Sequence, residues 1–183
     1  MVKYSGIDMI LIGLGSNLTT EEFSSSKAIL MAAVDALSEY DIEVIKISNF
    51  YETEPVPKSD QPWFVNAVIS IETHYDALEL LGILHEIERN MGRVRKEKWE
   101  ARIIDLDLLS YNDEIYPDPE NWHKVREDIA SKLPIIPHGR LHERDFVLIP
   151  MADISTDWKH PVFNKSVKNM LKAHNSEGIV RIL

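Results

Sequence analysis

The segment Trp63-Phe64-Val65-Asn66-Ala67-Val68-Ile69-Ser70-Ile71-Glu72-Thr73 decides the fold. Trp63, Val65, Ala67, Ile69 and Ile71 fall on one side, and Phe64, Asn66, Ser70 and Glu72 on the other. A period of two with one apolar side predicts a strand buried on one face. Downstream, Asp76 with Glu79 opens a helix whose stripe is Leu81, Leu84, Ile87 and Met91, and Gly92 stops it. Upstream, Glu43 to Glu52 is β-branched and aromatic and reads as a strand ending at Glu54-Pro55-Val56-Pro57, where two prolines deny ladder donors. Before it, Thr19 with Glu22 fits a capping box for a helix carrying Ile29, Leu30, Val34 and Leu37.

At the ends of this run, Met9 to Leu14 reads as a buried strand turning at Gly15-Ser16-Asn17, and Arg102 to Tyr111 as a further strand with a hairpin turn at Asn112-Asp113. The order strand-helix-strand-strand-helix-strand predicts an α+β, ferredoxin-like α-β sandwich. Helices would cover one face of a largely antiparallel sheet and leave the other face for a site. Residues 117–134 read as a polar excursion with a short helix, and Ser166 to His174 as a terminal helix.

A chain of 183 residues with 44% hydrophobic and 27% charged residues fits one globular domain spanning 1–183. A net charge of −10 argues against nonspecific binding to nucleic acid or to an anionic membrane, so a polyanionic substrate must meet a local cationic patch. The absence of cysteine excludes disulfides, thiolate metal sites and cysteine nucleophiles. The apolar run at Met9 is too short for a signal core or a membrane span, so the cytoplasm is the expected location.

Asp105-Leu106-Asp107 lies in a strand, which puts both carboxylates on one face with Cα atoms about 6.5–7 Å apart. Such a pair suits magnesium shared with substrate phosphates, or else is a solvated strand face. The preceding loop, Arg93 to Arg102, holds five basic residues against two acidic ones. Cations beside an acidic pair match the needs of phosphoryl transfer, although a basic loop also arises simply to pair with nearby acids. Gly13-Leu14-Gly15-Ser16-Asn17-Leu18 lacks the third glycine of a dinucleotide loop, and no G-x-x-x-x-G-K-[ST] occurs. Phe64 and Asn66 suit stacking and edge-bonding of a flat heterocycle, or form a small hydrophobic cluster. His85 and Glu88, one helical turn apart, contact a ligand or form a surface pair.

Several segments together resemble the 6-hydroxymethyl-7,8-dihydropterin pyrophosphokinases of folate synthesis. They are Ile12 to Leu18, Ser48 to Thr53, Gln61 to Ala67, Glu88 to Arg95, Arg102 to Asp107, Pro137-His138 and Arg144 to Leu148, and their order and spacing match over most of Met9 to Ile154. The resemblance implies transfer of the pyrophosphoryl group of ATP to the hydroxymethyl group of the pterin, with release of AMP. It implies Asp105 and Asp107 as ligands of two Mg2+ ions, with Arg93 and Arg102 on the ATP phosphates. Phe64 and Phe146 would sandwich the pterin, Asn66 would read its edge, and Thr53 to Val56 would offer backbone groups. His85, Glu88, Arg95, Trp99, His138 and Arg144 would lie near ATP or in its closing loop. A monomer is expected.

Three departures stand out. Trp99-Glu100-Ala101-Arg102 replaces Trp-Gly-Pro-Arg in a loop one residue shorter, Pro137-His138-Gly139-Arg140 replaces Pro-His-Pro-Arg, and the excursion at 117–134 is long. The competing enzyme reading is another magnesium-dependent nucleotidyl- or phosphoryl-transferase, separated by whether AMP is released. An RNA-binding module is disfavoured by the charge and by the missing aromatic-rich strand signature. A noncatalytic pterin sensor is disfavoured by the complete set of acidic and arginine positions.

Overall fold

The computed structural model describes residues 9–55, 58–93, 102–128, 130–131, 133–173 and 180–183. In chain order the elements are β1 (Ile10–Ser16), α1 (Ser26–Leu37), β2 (Glu43–Ile47), β3 (Tyr51–Thr53), β4 (Phe64–Glu72), α2 (Ala77–Asn90), β5 (Asp105–Tyr111), α3 (Pro119–Glu127), α4 (Asp145–Ile154), α5 (Val167–Ala173) and β6 (Val180–Ile182). The sheet runs β5-β1-β4-β3-β6, with β2 also on β4, and every pairing is antiparallel. This is the expected α+β class.

The expected strand over Glu43–Glu52 is two strands. Ser48 makes the break: its N–H donates to the Val68 carbonyl at 2.9 Å, while its Oγ accepts from the Val68 N–H at 2.9 Å. A hydroxyl thus takes the place of a ladder carbonyl, and the chain re-enters the sheet three residues later as β3. The first helix also starts later than Thr19 suggests. Thr20 closes its own turn by accepting from the Phe23 N–H, and Ser25 caps α1 through Ala28. At α2 the capping box of Asp76 and Glu79 is complete, and Gly92 follows the helix at a positive φ of 86°. The turn at Asn112-Asp113 forms, but it leads to a single bridge between Tyr116 and Ile136 and not to a hairpin strand.

The larger correction concerns the second face of the sheet. One face buries Ile12, Leu14, Val65, Ile69, Leu106 and Leu108 against Ile29 and Leu30 of α1 and Leu80 and Leu84 of α2. The other face was expected to be open, yet β4 is buried on both sides, with Asn66 at 7% exposure and Ser70 at 4%. Leu11, Val68 and Leu109 meet Leu148 and Met151 of α4 there, and α5 with Trp158 closes the layer. Each large side chain buried in this way stabilises the fold by roughly 1.5–3 kcal/mol. Helix α4 covers only part of this face. The remainder, beyond its N-terminal end, holds the candidate site.

Candidate active site

On that uncovered area strand register sets the layout. Gly15 pairs with Asp105 on one side and with Asn66 on the other, and Asn66 in turn pairs with Tyr51. One row further in, Gly13 lies between Asp107 and Val68. Adjacent strands lie about 4.8 Å apart, so two glycines leave a bare strip between a pair of carboxylates and a carboxamide about 10 Å away. The strip is the floor of a cavity of about 210 Å3 whose walls include Thr53, Phe64, Arg102, Arg144 and Phe146. A Cβ on Gly15 would stand 3.1 Å from the Asn66 Oδ1, an atom held in place because Asn66 Nδ2 donates to the Thr53 hydroxyl at 2.7 Å. Gly15→Ala is therefore expected to disturb the amide side of the cavity more than the acidic side. Binding of a flat ring would weaken several-fold while nucleotide affinity stays, which calorimetry with each ligand would read.

The acidic side is a small ion-pair network. Arg93 pairs with Asp105 Oδ1 at 2.8 Å and with Glu88, and Arg102 pairs with the other Asp105 oxygen. Burial and the neighbouring Asp107 nevertheless push the Asp105 carboxyl up to about 6, against the pull of Arg102 and Arg93. Burial alone would raise Asp107 as well, but His138, Arg144, Arg102 and Arg93 outweigh it and hold this carboxyl below its ordinary value. Burial also lowers His138, so the arginines supply that field near neutral pH. Asp105, whose charging burial and Asp107 oppose, and Asp107, which the arginines keep charged, together form a hard oxygen donor set that suits a divalent cation. Among the described residues no group of three or more His, Cys, Asp and Glu side chains is arranged around a metal position.

The model of the 7,8-dihydro-6-hydroxymethylpterin-pyrophosphokinase (HPPK) family matches residues 11–156. The chain belongs to the HPPK family. It is 38% identical over 147 residues to the 2-amino-4-hydroxy-6-hydroxymethyldihydropteridine pyrophosphokinase of Haemophilus influenzae, covering 80% of this chain and 81% of that protein. The Bacillus subtilis protein of the same name is 36% identical over 143 residues, 78% of this chain and 75% of its own. Among solved structures, Plasmodium falciparum HPPK-DHPS with pterin and p-hydroxybenzoate aligns at a TM-score of 0.68 and 17% identity, over 91% of this chain and 43% of that one. That likeness supports the fold.

Within this HPPK chain Arg102, Asp105, Asp107, Thr53, Phe64, Asn66, Arg144 and Phe146 come together around one cavity. Arg144 lies over the Phe146 ring at 5.5 Å, so a cation and an aromatic ring share one wall of the cavity. His85 and Glu88 sit on α2, across β5 from the cavity. Glu88 is 2% exposed, and its Oε1 accepts from the Leu106 N–H at 2.8 Å as well as from Arg93. It holds Arg93 and the start of β5 together. Glu88→Ala would leave a guanidinium that is 11% exposed without this partner, and about 3 kcal/mol of stability should be lost in urea melts. Val56, Arg95 and Trp99, with the rest of the loop over 94–101, lie outside the described residues.

Two features went unread in the sequence. Asn17, to which the sequence reading gave no role of its own, is 2% exposed and grips the main chain of Arg102 twice: its N–H donates to the Arg102 carbonyl at 3.0 Å, and its Oδ1 accepts from the Arg102 N–H at 2.7 Å. Its Nδ2 donates to the Pro62 carbonyl at 3.1 Å, so one side chain links the roots of two loops bordering the cavity. The excursion also acquires a role. Trp122 of α3 donates to the Pro137 carbonyl at 3.0 Å, and Arg126 donates to the Gly139 carbonyl at 2.9 Å, fixing the main chain on both sides of His138. A Cβ on residue 139 would meet Arg126 Cγ and Ile135 Cδ1 at 3.3 Å, so the glycine that replaces the usual proline fits this close approach.

Proposed function

We propose that the chain transfers the pyrophosphoryl group of ATP to the hydroxymethyl group of 6-hydroxymethyl-7,8-dihydropterin on the floor of this cavity, acting in the cytoplasm as a monomer of one domain. The observation that carries the reading is the strip Asp105–Gly15–Asn66, which sets metal-type carboxylates and a ring-reading amide on one face with no side chain between them. Phe64 and Phe146 stack on the two faces of the pterin. Asn66, oriented by Thr53, meets its amide edge, and the chain from Thr53 to Pro55, which lines the cavity, completes that side.

ATP lies towards Arg144, His138, Arg102 and Arg93; Glu88, behind β5 with His85, serves that side by holding Arg93, and Arg95 and Trp99 are assigned to ATP by the resemblance alone. Two Mg2+ ions suit Asp105 and Asp107, because oxygen donors with water and phosphate partners match this cation. When bound, they neutralise charge on the bridging phosphate oxygens. The pterin hydroxyl oxygen forms a bond to the β-phosphorus, the bond from that phosphorus to the α-phosphate oxygen breaks, AMP departs, and the hydroxyl proton passes to solvent. Protein groups act by positioning and by charge.

Incubation with ATP, magnesium and the hydroxymethyl-dihydropterin should yield AMP and a diphosphorylated pterin. ADP in place of AMP would favour the competing phosphoryl-transferase reading. Phe146→Ala should weaken pterin binding by about 1–3 kcal/mol through lost stacking and apolar contact while leaving ATP affinity nearly unchanged. Calorimetry that found equal losses for both ligands would make Phe146 a core residue.

A further inference from the structure

Strand β6 lies outside residues 11–156, the part of the chain that the family model matches, yet it completes the sheet beside the ring-binding side of the cavity. It pairs with β3 in the register Tyr51–Ile182, Glu52–Arg181 and Thr53–Val180, and the Leu183 N–H donates to the Phe50 carbonyl at 2.9 Å. Strand β3 is three residues long and carries Thr53, the anchor of Asn66. Without β6 it would be a short edge strand, the kind of segment that frays first.

Alternation places Tyr51, Thr53, Phe64 and Asn66 on the cavity face and Glu52, Trp63, Val65 and Arg181 on the opposite one. On that opposite face the Arg181 guanidinium lies 4.7 Å from the centre of the Trp63 ring, and its Nε and Nη2 donate to Glu52 Oε2 at 2.8 and 2.7 Å. Trp63 directly precedes Phe64, and Glu52 directly precedes Thr53. One side chain therefore clips together the two strands that present a ring wall and the amide's anchor.

We infer that Arg181 is a positioning residue for the pterin, acting from behind the sheet through Trp63 and Glu52 to hold Phe64 and Thr53 in register. The inference rests on the pterin reading given above. The Arg181 side chain is 62% exposed, so the ion pair by itself contributes little and the stacked, planar fork carries most of the effect. Arg181→Ala is expected to raise the pterin Kd and KM about 3–10-fold, with kcat and ATP Kd within about twofold of wild type. Arg181→Lys should recover only part of the affinity, since an ammonium keeps the charge but loses the fork. Hydrogen exchange, which needs no ligand, should speed up at residues 51–53 in Arg181→Ala while β1 is unaffected. An unchanged pterin Kd, or equal weakening of pterin and ATP, in a variant with wild-type circular dichroism would overturn the assignment. A wild-type protein that binds no pterin would instead remove the functional reading beneath it, and the inference with it.

Discussion

Replacing Asp105 or Asp107 by alanine is expected to lower turnover by roughly 10³-fold or more while the protein stays folded. Both carboxylates stand on the uncovered part of a sheet face, and Leu106 between them carries the packing, at 3% exposure. The asparagine variants should be as inactive, but they separate the two positions by stability. Asp105 has its carboxyl raised to about 6 by burial and by Asp107, so between the unfolded value and about pH 6 the folded chain binds the extra proton. Stability of the metal-free protein therefore falls as pH rises through that window, and the whole penalty is present above it. Asp105→Asn removes the penalty and should raise Tm at pH 7, the gain being on the order of 1–3 kcal/mol. Asp107 has the opposite sign: its lowered carboxyl contributes stability above the ordinary carboxylate range, which is lost as pH falls through its depressed value. Asp107→Asn should lower Tm at pH 7. Near-normal turnover in either alanine variant at saturating magnesium would sink the metal assignment, and equal Tm changes in the two asparagine variants would sink the account of their fields.

Much of this site was legible in the sequence because its chemistry lies in strands, where period two fixes the face without knowledge of the fold. Asp105 with Asp107, and Phe64 with Asn66, needed only that rule. What it could not supply was the register, so the bare strip made by Gly13 and Gly15 between the two pairs stayed invisible although both glycines were noticed. Helix α4 was missed for another reason. Asp145–Ile154 is apolar nearly all round and contains Pro150, a composition that a short sequence window reads as strand or loop, and only Leu11, Val68 and Leu109 waiting on the second face make it a helix. The same omission made β4 look half-exposed. Asn17 was hidden because its partners Pro62 and Arg102 are 45 and 85 residues away. Strand β6 is three residues long, and its pairing with β3 joins segments about 130 residues apart.

Arg102→Ala is expected to lower kcat by about 10²-fold or more and to change ATP affinity far less. The main chain of Arg102 is fixed from both sides by Asn17, whereas its side chain is 35% exposed and rests on Asp105. A cation held by Asp105 would compete for the same oxygen and free the guanidinium. From a clamped root, the freed side chain can turn into the cavity it already lines, towards the negative charge of a transferred group. The contrast with Arg93 sharpens the point, since that guanidinium is 11% exposed and kept in place by Glu88 as well as by Asp105. Its loss should cost more stability than the loss of Arg102, whose side chain is the more exposed of the two, at 35% against 11%. A group that meets charge only as it develops stabilises the transition state more than bound ATP, which places its effect in kcat. Arg102→Lys should recover part of the rate, because an ammonium supplies the charge but not the planar fork for two phosphate oxygens. Steady-state kinetics beside equilibrium ATP binding, for wild type and both variants, distinguishes the possibilities. An alanine variant with unchanged kcat and a merely raised KM would make Arg102 a tether for ATP, and the turn of its side chain away from Asp105 would then have no part in the transfer.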